Sequence, residues 1–162
     1  MAISAPTKSA QYVDYSASPQ TFVKGSDWNS KLRVSYAKLT FTAAGFTTAS
    51  AGDISLIRMP AGRVRVLGDL SRLICPAGTG TSDLDVGYAA YTGEDNVAVV
   101  ADQDAWAASV DVGGGAINQA LATGSTFVIS SRSGFDVVCS FDTANSPAAG
   151  DLVLILVYQI DN

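Results

Sequence analysis

Residues 52–67 read GDISLIRMPAGRVRVL, two strand-forming runs separated by a turn. Pro60 ends the first run, because proline lacks the N–H that a strand donates to its neighbour, and Ala61-Gly62 turns the chain. In the second run, charged and apolar residues alternate from position 63 to position 67. A two-residue period is typical of a strand with one wet face and one buried face. The stretch therefore predicts two successive β-strands joined by a tight turn.

The same alternation recurs along the chain. Between residues 35 and 43, apolar positions alternate with polar or aromatic ones. Further strand-forming runs lie at residues 70–75, 84–91, 125–130, 135–141 and 151–160. The pattern gives about eight or nine strands with a turn signal roughly every ten residues, which favours a sandwich or barrel over alternating strands and helices.

Residues 92–124 lack a clear period. Residues 97–112 are compatible with a helical turn around 102–108 or with an irregular excursion. Elsewhere, Ala51-Gly52-Asp53 and Ala149-Gly150-Asp151 each precede an apolar run, which shared turn chemistry explains and which also fits a fold of two similar halves. We predict an all-β fold, a single jelly-roll-like β-sandwich domain over residues 31–162.

The first 30 residues differ from the rest. They are rich in small and polar residues and carry four scattered aromatics, Tyr12, Tyr15, Phe22 and Trp28. We predict an extended N-terminal arm over residues 1–30, whose aromatics lie on its own domain or on a neighbour. With these four residues, Arg63 and Arg65 are our candidates for a partner interface. The group formed by these arginines and Arg72 is either such a contact or a solvated strand face.

Composition argues against several protein classes. The 162 residues are 48% hydrophobic and 15% charged, with a net charge of −5. A coiled coil would be more charged, a disordered chain less hydrophobic, and a nucleic-acid binder usually basic. Residues 1–72 carry nine basic and four acidic residues, whereas residues 73–162 carry one and eleven. This asymmetry indicates either a molecule that docks by complementary fields or two halves that interleave in a sandwich.

Catalytic signatures are missing. Histidine is absent, which removes the commonest general base and zinc ligand. No nucleophile-elbow, phosphate-loop or zinc-protease motif occurs. Asp83 and Asp85 lie two apart on a predicted strand and would face one side, as a carboxylate pair in a glycosidase must, but Trp28 and Trp106 form no obvious sugar-stacking platform. We predict no catalytic residues and no enzyme activity.

Calcium is the best metal candidate. Asp102-Gln103-Asp104, with Asp95 or Asp111, offers hard oxygen ligands. The EF-hand spacing and its glutamate are missing, and a solvated acidic loop is the simpler interpretation. We therefore assign no metal and no cofactor.

The cysteines and the apolar runs bear on the compartment. Cys75 and Cys139 form no zinc or redox pattern; we expect buried free thiols, with a disulfide possible only if their strands are neighbours. No signal peptide is visible, and the longest apolar run, residues 152–158, is too short for a membrane span. These features predict a soluble protein made in the cytoplasm, with no membrane and no nucleic-acid partner.

Three segments together resemble small virion proteins of tailed bacteriophages. They are residues 52–67, the run Leu84-Asp85-Val86-Gly87-Tyr88, and the apolar strand at 152–158. The resemblance implies a structural protein of the phage particle, a capsid decoration (cement) protein with a jelly-roll-like sandwich. Such a protein would bind the outer surface of the capsid as a homotrimer, with the major capsid protein of the same phage as its partner, and stabilise the shell by bridging neighbouring subunits.

One alternative assignment remains within the phage particle. The chain would then be a tail or baseplate component, or a receptor-binding tip that recognises carbohydrate. A sugar pocket lined by Trp106 with Tyr88 or Tyr91 would favour the tip.

Overall fold

Strands supply the regular structure of the described residues. The computed structural model describes residues 32–41, 54–78, 80–121, 126–141 and 147–161. The strands are β1 (Arg33–Phe41), β2 (Ile54–Met59), β3 (Gly62–Leu67), β4 (Arg72–Cys75), β5 (Asp83–Tyr88), β6 (Tyr91–Thr92), β7 (Ala98–Val99), β8 (Asp102–Asp111), β9 (Ile117–Ala120), β10 (Thr126–Ser131), β11 (Phe135–Phe141) and β12 (Gly150–Asp161). In these residues no helix is long and apolar enough to cross a membrane.

The first sheet is built around β12, which pairs with β1 on one edge from Gly150 to Tyr158. β12 also pairs with β4 at residues 153–155 and with β3 at residues 158–161. Because residues 153–155 and Tyr158 pair with β1 as well, β3 and β4 lie along the other edge of β12. The Ser71 hydroxyl bridges the interruption between them: it donates to the Leu67 carbonyl over 2.8 Å and accepts the Val157 N–H over 2.9 Å. β3 and β4 therefore act as one long strand.

The same holds for the next strand of this sheet. β10 pairs with β3 and β9 pairs with β4, so β9 and β10 together occupy the fourth strand position of this sheet. The second sheet has the order β2-β11-β5-β8. With β3 and β4 counted as one strand, and β9 and β10 as another, the two sheets contain eight strands. Numbered along the chain, the strands of the first sheet are the first, eighth, third and sixth, and those of the second sheet are the second, seventh, fourth and fifth. This is the strand order of a jelly roll, an architecture common in viral capsid domains.

The hydrophobic core lies between the two sheets. Val64 and Val66 of β3 are fully buried, as the alternation in residues 63–67 predicted. Aromatic rings meet across the interior: the Phe41 and Phe141 ring centroids are 5.8 Å apart, and those of Trp106 and Phe127 are 6.1 Å apart. Because each pair joins one sheet to the other, the predicted all-β sandwich is confirmed.

One secondary-structure prediction is wrong. Residues 102–111 form strand β8 and not a helical turn or an irregular excursion. Its pairing with β5 shifts register twice, and Ser109 has a positive φ of 49°. Bulges of this kind put extra residues into one strand and so erase the two-residue period from the sequence.

Two other predictions concern particular residues. Cys75 and Cys139 are buried free thiols, and their strands, β4 and β11, belong to different sheets, so the free-thiol interpretation is confirmed. The predicted arm over residues 1–30, with Tyr12, Tyr15, Phe22 and Trp28, lies outside the described residues.

Candidate interaction surface

The outer face of the first sheet is apolar along β12. Leu152, Leu154 and Leu156 point into the core and are fully buried, whereas the residues between them are half-buried on the opposite face. An antiparallel sheet with one solvated face normally alternates apolar and polar residues. The outward residues here are instead Val153, Ile155 and Val157.

Strand β1 widens this apolar face. Val34 lies directly opposite Val157, and Tyr36 lies opposite Ile155. Val34 and Tyr36 expose 64% and 61% of their surface. On the other side of β12, Ile74 of β4 lies opposite Val153. We call these six residues the outer apolar stripe: Val34, Tyr36, Ile74, Val153, Ile155 and Val157.

An ion pair bounds one end of the stripe. The Lys38 ammonium lies 2.8 Å from the Asp151 carboxylate, and the Thr40 hydroxyl donates to the same carboxylate over 2.6 Å. The hydrogen bond from Lys38, followed by that from Thr40, lowers the pKa of Asp151, and the same contact raises the pKa of Lys38. Both side chains are solvent-accessible, so the pair orders this rim more than it stabilises the fold.

Two predicted interface residues bound the other end. Arg65 Nη2 lies 3.1 Å from Asp161 Oδ2, and Arg63 Nε lies 3.8 Å from the same oxygen. Arg72, the third member of the predicted basic group, lies opposite Ile155, beside the stripe. The structure therefore brings all three arginines to the outer face of the first sheet. Contiguous exposed apolar surface with a polar rim is typical of an interaction site.

The acidic segment lies on the other sheet. Asp85, Asp102 and Asp104, with Ser109, line an open depression of about 540 Å³, which we call the acidic depression. The hydrogen bond between Asp102 and Asp104 raises the pKa of Asp102. Partial burial and the negative charge of Asp104 act in the same direction. Two carboxyl groups thus share one site with no cation between them among the described residues.

Neither carboxylate hypothesis gains support from the geometry. Asp83 and Asp85 alternate with the buried Leu84 and Val86 on β5 and so share the outer face, but Asp85 is 8% exposed and accepts a 2.6 Å hydrogen bond from the Ser109 amide. The Asp85 carboxylate therefore stabilises the bulge at Ser109 in β8. Within the described ranges, no three histidine, cysteine, aspartate or glutamate side chains cluster closely enough to hold a metal ion.

The aromatics of the carbohydrate hypothesis do come together. The Tyr88 ring lies 5.6 Å from Tyr91 and 6.3 Å from Trp106 between centroids. Trp106 is only 3% exposed, however, and packs against Phe127 and Phe135. A sugar ring has no access to its indole face, so the cluster belongs to the core.

Sequence reasoning missed the outer apolar stripe. A signal for it existed, because residues 152–158 are apolar without interruption, and such a run indicates a strand covered on both faces. The run correctly predicted a strand. It also indicates that the outer face of this strand is covered, which was not inferred from the sequence.

Comparisons with known proteins match the fold only. No family model and no curated protein matches the chain. A chain of the cyanophage Pam1 capsid asymmetric unit aligns with a TM-score of 0.51 and 16% identity, covering 99% of this chain and 94% of that one. A chain of the acid-stable capsid of Helicobacter pylori bacteriophage KHP30 aligns with a TM-score of 0.46 and 18% identity, covering 82% and 90% respectively. The chain thus has the fold of a chain found in a cyanophage capsid.

Proposed function

We propose that this chain is a non-enzymatic structural protein of a bacteriophage particle. It binds the outer surface of the capsid and stabilises the shell by bridging neighbouring subunits. Its partners are the major capsid protein and further copies of itself, with which it forms a homotrimer. The fold shared with a chain of the cyanophage Pam1 capsid supports this assignment, as does the resemblance of the sequence to small phage virion proteins.

The outer apolar stripe is the observation that carries the proposal. A protein that worked alone in water would gain nothing from Val153, Ile155 and Val157 on an outward face, since exposed apolar surface favours association. In an assembled particle the same face is covered by a neighbour. Bound neighbours stabilise the folded, assembled form by mass action, which is the physical basis of a bridging role.

The predicted arm supplies the second contact. Its aromatics, including Trp28, have the chemistry of interface anchors, because large rings bury much area with little loss of side-chain freedom. The arm holds the chain to the shell, while the arginines Arg63 and Arg65 border the face that meets a neighbouring subunit. The burial of Trp106 leaves the alternative of a carbohydrate-binding tip without its platform.

Quantitative mass spectrometry of purified virions tests the assignment. We expect this chain in amounts comparable to the major shell subunit. A handful of copies per particle would assign it to the tail or connector, and its absence from virions would overturn the proposal. A truncation that lacks residues 1–30 should fold but fail to bind isolated heads, whereas undiminished binding would remove the role of the arm.

A further inference from the structure

Arg72 differs from most cations of the described chain. Lys38, Arg58, Arg63 and Arg65 each lie within 4 Å of a carboxylate oxygen, and Arg132 donates to the Asn96 side chain. Among the described residues Arg72 contacts no such group, although it lies on the outer face beside the apolar stripe. A guanidinium next to apolar surface is poised to meet a carboxylate on whatever covers that surface.

The acidic depression carries the opposite charge to Arg72. Asp102 and Asp104 are exposed and share a hydrogen bond that a second negative charge opposes. Asp85, Asp102 and Asp104 line the depression, and no described basic side chain does. A planar guanidinium with several N–H donors suits such a site better than an ammonium does.

We propose that a second copy of this chain covers the outer apolar stripe, head to tail, so that Arg72 of one copy enters the acidic depression of the next. The two patches lie at different places on the molecule. The stripe runs along β1 and β12, at one edge of the first sheet, and the depression lies on β8, at the edge of the second sheet. The contact is therefore heterologous, and repetition of it closes a ring if the rotation permits.

Charge argues against a two-fold symmetric contact, in which the stripe of one copy would meet the stripe of the other. If the stripe met its own copy, both Arg72 side chains would enter one desolvated interface, whose carboxylates Asp151 and Asp161 are already paired with Lys38, Arg63 and Arg65. Like charges brought together in this way oppose association. Head-to-tail docking instead pairs a face with an excess of cations with a depression whose charged lining residues, among those described, are all carboxylates. This contact rests on the self-association in the proposed function and deepens it by naming the two surfaces that meet.

The first test is self-association of the purified chain by sedimentation velocity, up to about 200 µM, since the assembled fraction rises with concentration. We expect oligomers that weaken as salt increases. The substitution Arg72→Glu should weaken association at least about tenfold, and Asp104→Arg likewise. Arg132→Glu, the matched control with the same change of charge, should associate like the wild type.

Mixing the two variants gives the sharper test. An Arg72→Glu copy keeps Asp104, and an Asp104→Arg copy keeps Arg72, so these two retained residues can pair. In the opposite order of docking, the two substituted side chains also carry opposite charges. We expect the mixture to associate more strongly than either variant alone. A wild type that stays monomeric, an Arg72→Glu variant that associates normally, or a mixture that fails to recover would each overturn the proposal. Circular dichroism of every variant checks that it is folded, and virion mass spectrometry tests the proposed function separately.

Discussion

The backbone N–H of Ser109 donates a 2.6 Å hydrogen bond to the carboxylate of Asp85, across the β5–β8 strand pair. Ser109 has a positive φ, and the register between the strands shifts at this point. The side chain therefore replaces a ladder hydrogen bond that the bulge removes. A carboxylate that accepts a backbone N–H forms a stronger hydrogen bond than a neutral acceptor does.

Replacing Asp85 by alanine should lower the free energy of unfolding by about 1–3 kcal/mol, because the Ser109 amide loses its acceptor in a partly buried site. Asp85→Asn keeps an acceptor oxygen and should lose less. Urea denaturation followed by tryptophan fluorescence measures both. Asp83→Ala is the control: a change of more than about 0.5 kcal/mol there, or none at Asp85, would contradict the assigned role.

Strands with one buried face were predictable from the sequence. The alternation in residues 63–67 falls in β3, and the alternation noted between residues 35 and 43 falls in β1 as far as Phe41. Their signal is local, because a strand that faces a core on one side must repeat every two residues. The predicted positions of Arg63 and Arg65 on an outer face follow from the same rule.

Features that depend on distant partners were not predictable in this way. β8 carries two register shifts, and its period is visible only beside β5. The join between β3 and β4 depends on the Ser71 hydroxyl and on Val157, which lies 86 residues away. The outer apolar stripe was missed because Ile155 looks like a core residue until its strand neighbours Tyr36 and Arg72 are known.

Glycine at position 87 is required by a close approach of two backbones. A Cβ atom there would overlap the Asp102 carbonyl oxygen and lie 2.6 Å from the Gln103 carbonyl carbon. Gly87→Ala should therefore destabilise the fold by about 1–3 kcal/mol, since β8 must shift to make room. Gly114→Ala is a matched control, because its Cβ would meet only the movable Asp111 carboxylate at 3.0 Å. Thermal unfolding compares the two, and equal melting temperatures would contradict the close approach.

The Cys75 thiol should be unreactive in the native protein. Burial raises its pKa to about 12, so almost no thiolate exists at neutral pH, and the thiolate is the reactive form. Cys139 is also buried. We expect a chromogenic disulfide reagent at neutral pH to detect no thiol in the folded chain and two in denaturant. An intact mass reduced by two hydrogens, or rapid native labelling, would show that this reading of the cysteines is wrong.

The ion pair at the rim of the stripe should give stability a defined pH dependence. The Lys38 contact lowers the pKa of Asp151 below its ordinary value of 3.8 and raises that of Lys38 above 10.5. The contribution of Asp151 is thus present at neutral pH and lost as the pH falls through its lowered pKa; that of Lys38 is lost as the pH rises through its raised pKa.

The difference in unfolding free energy between the wild type and Asp151→Asn should therefore be constant near neutral pH and shrink below pH 3.8 and above pH 10.5. Urea titrations across this range measure it. Lys38→Met should produce the same profile, and the double variant should show no further pH-dependent loss, because the two residues act through one contact. A pH-independent difference would mean that the pair does not form in solution.

Replacing Trp106 by phenylalanine should destabilise the protein less than the difference in side-chain volume suggests. Its indole Nε1 is buried and has no hydrogen-bond partner among the described residues, so Trp106→Phe removes an unsatisfied donor while it keeps a ring against Phe127 and Phe135. We expect a loss below about 2 kcal/mol, because relief of the desolvated N–H offsets part of the lost packing. Trp106→Ala should cost about 3–5 kcal/mol, since it leaves a cavity in the core. Denaturation of both variants separates the two effects, and a phenylalanine variant as unstable as the alanine variant would show that the indole N–H has a partner in solution.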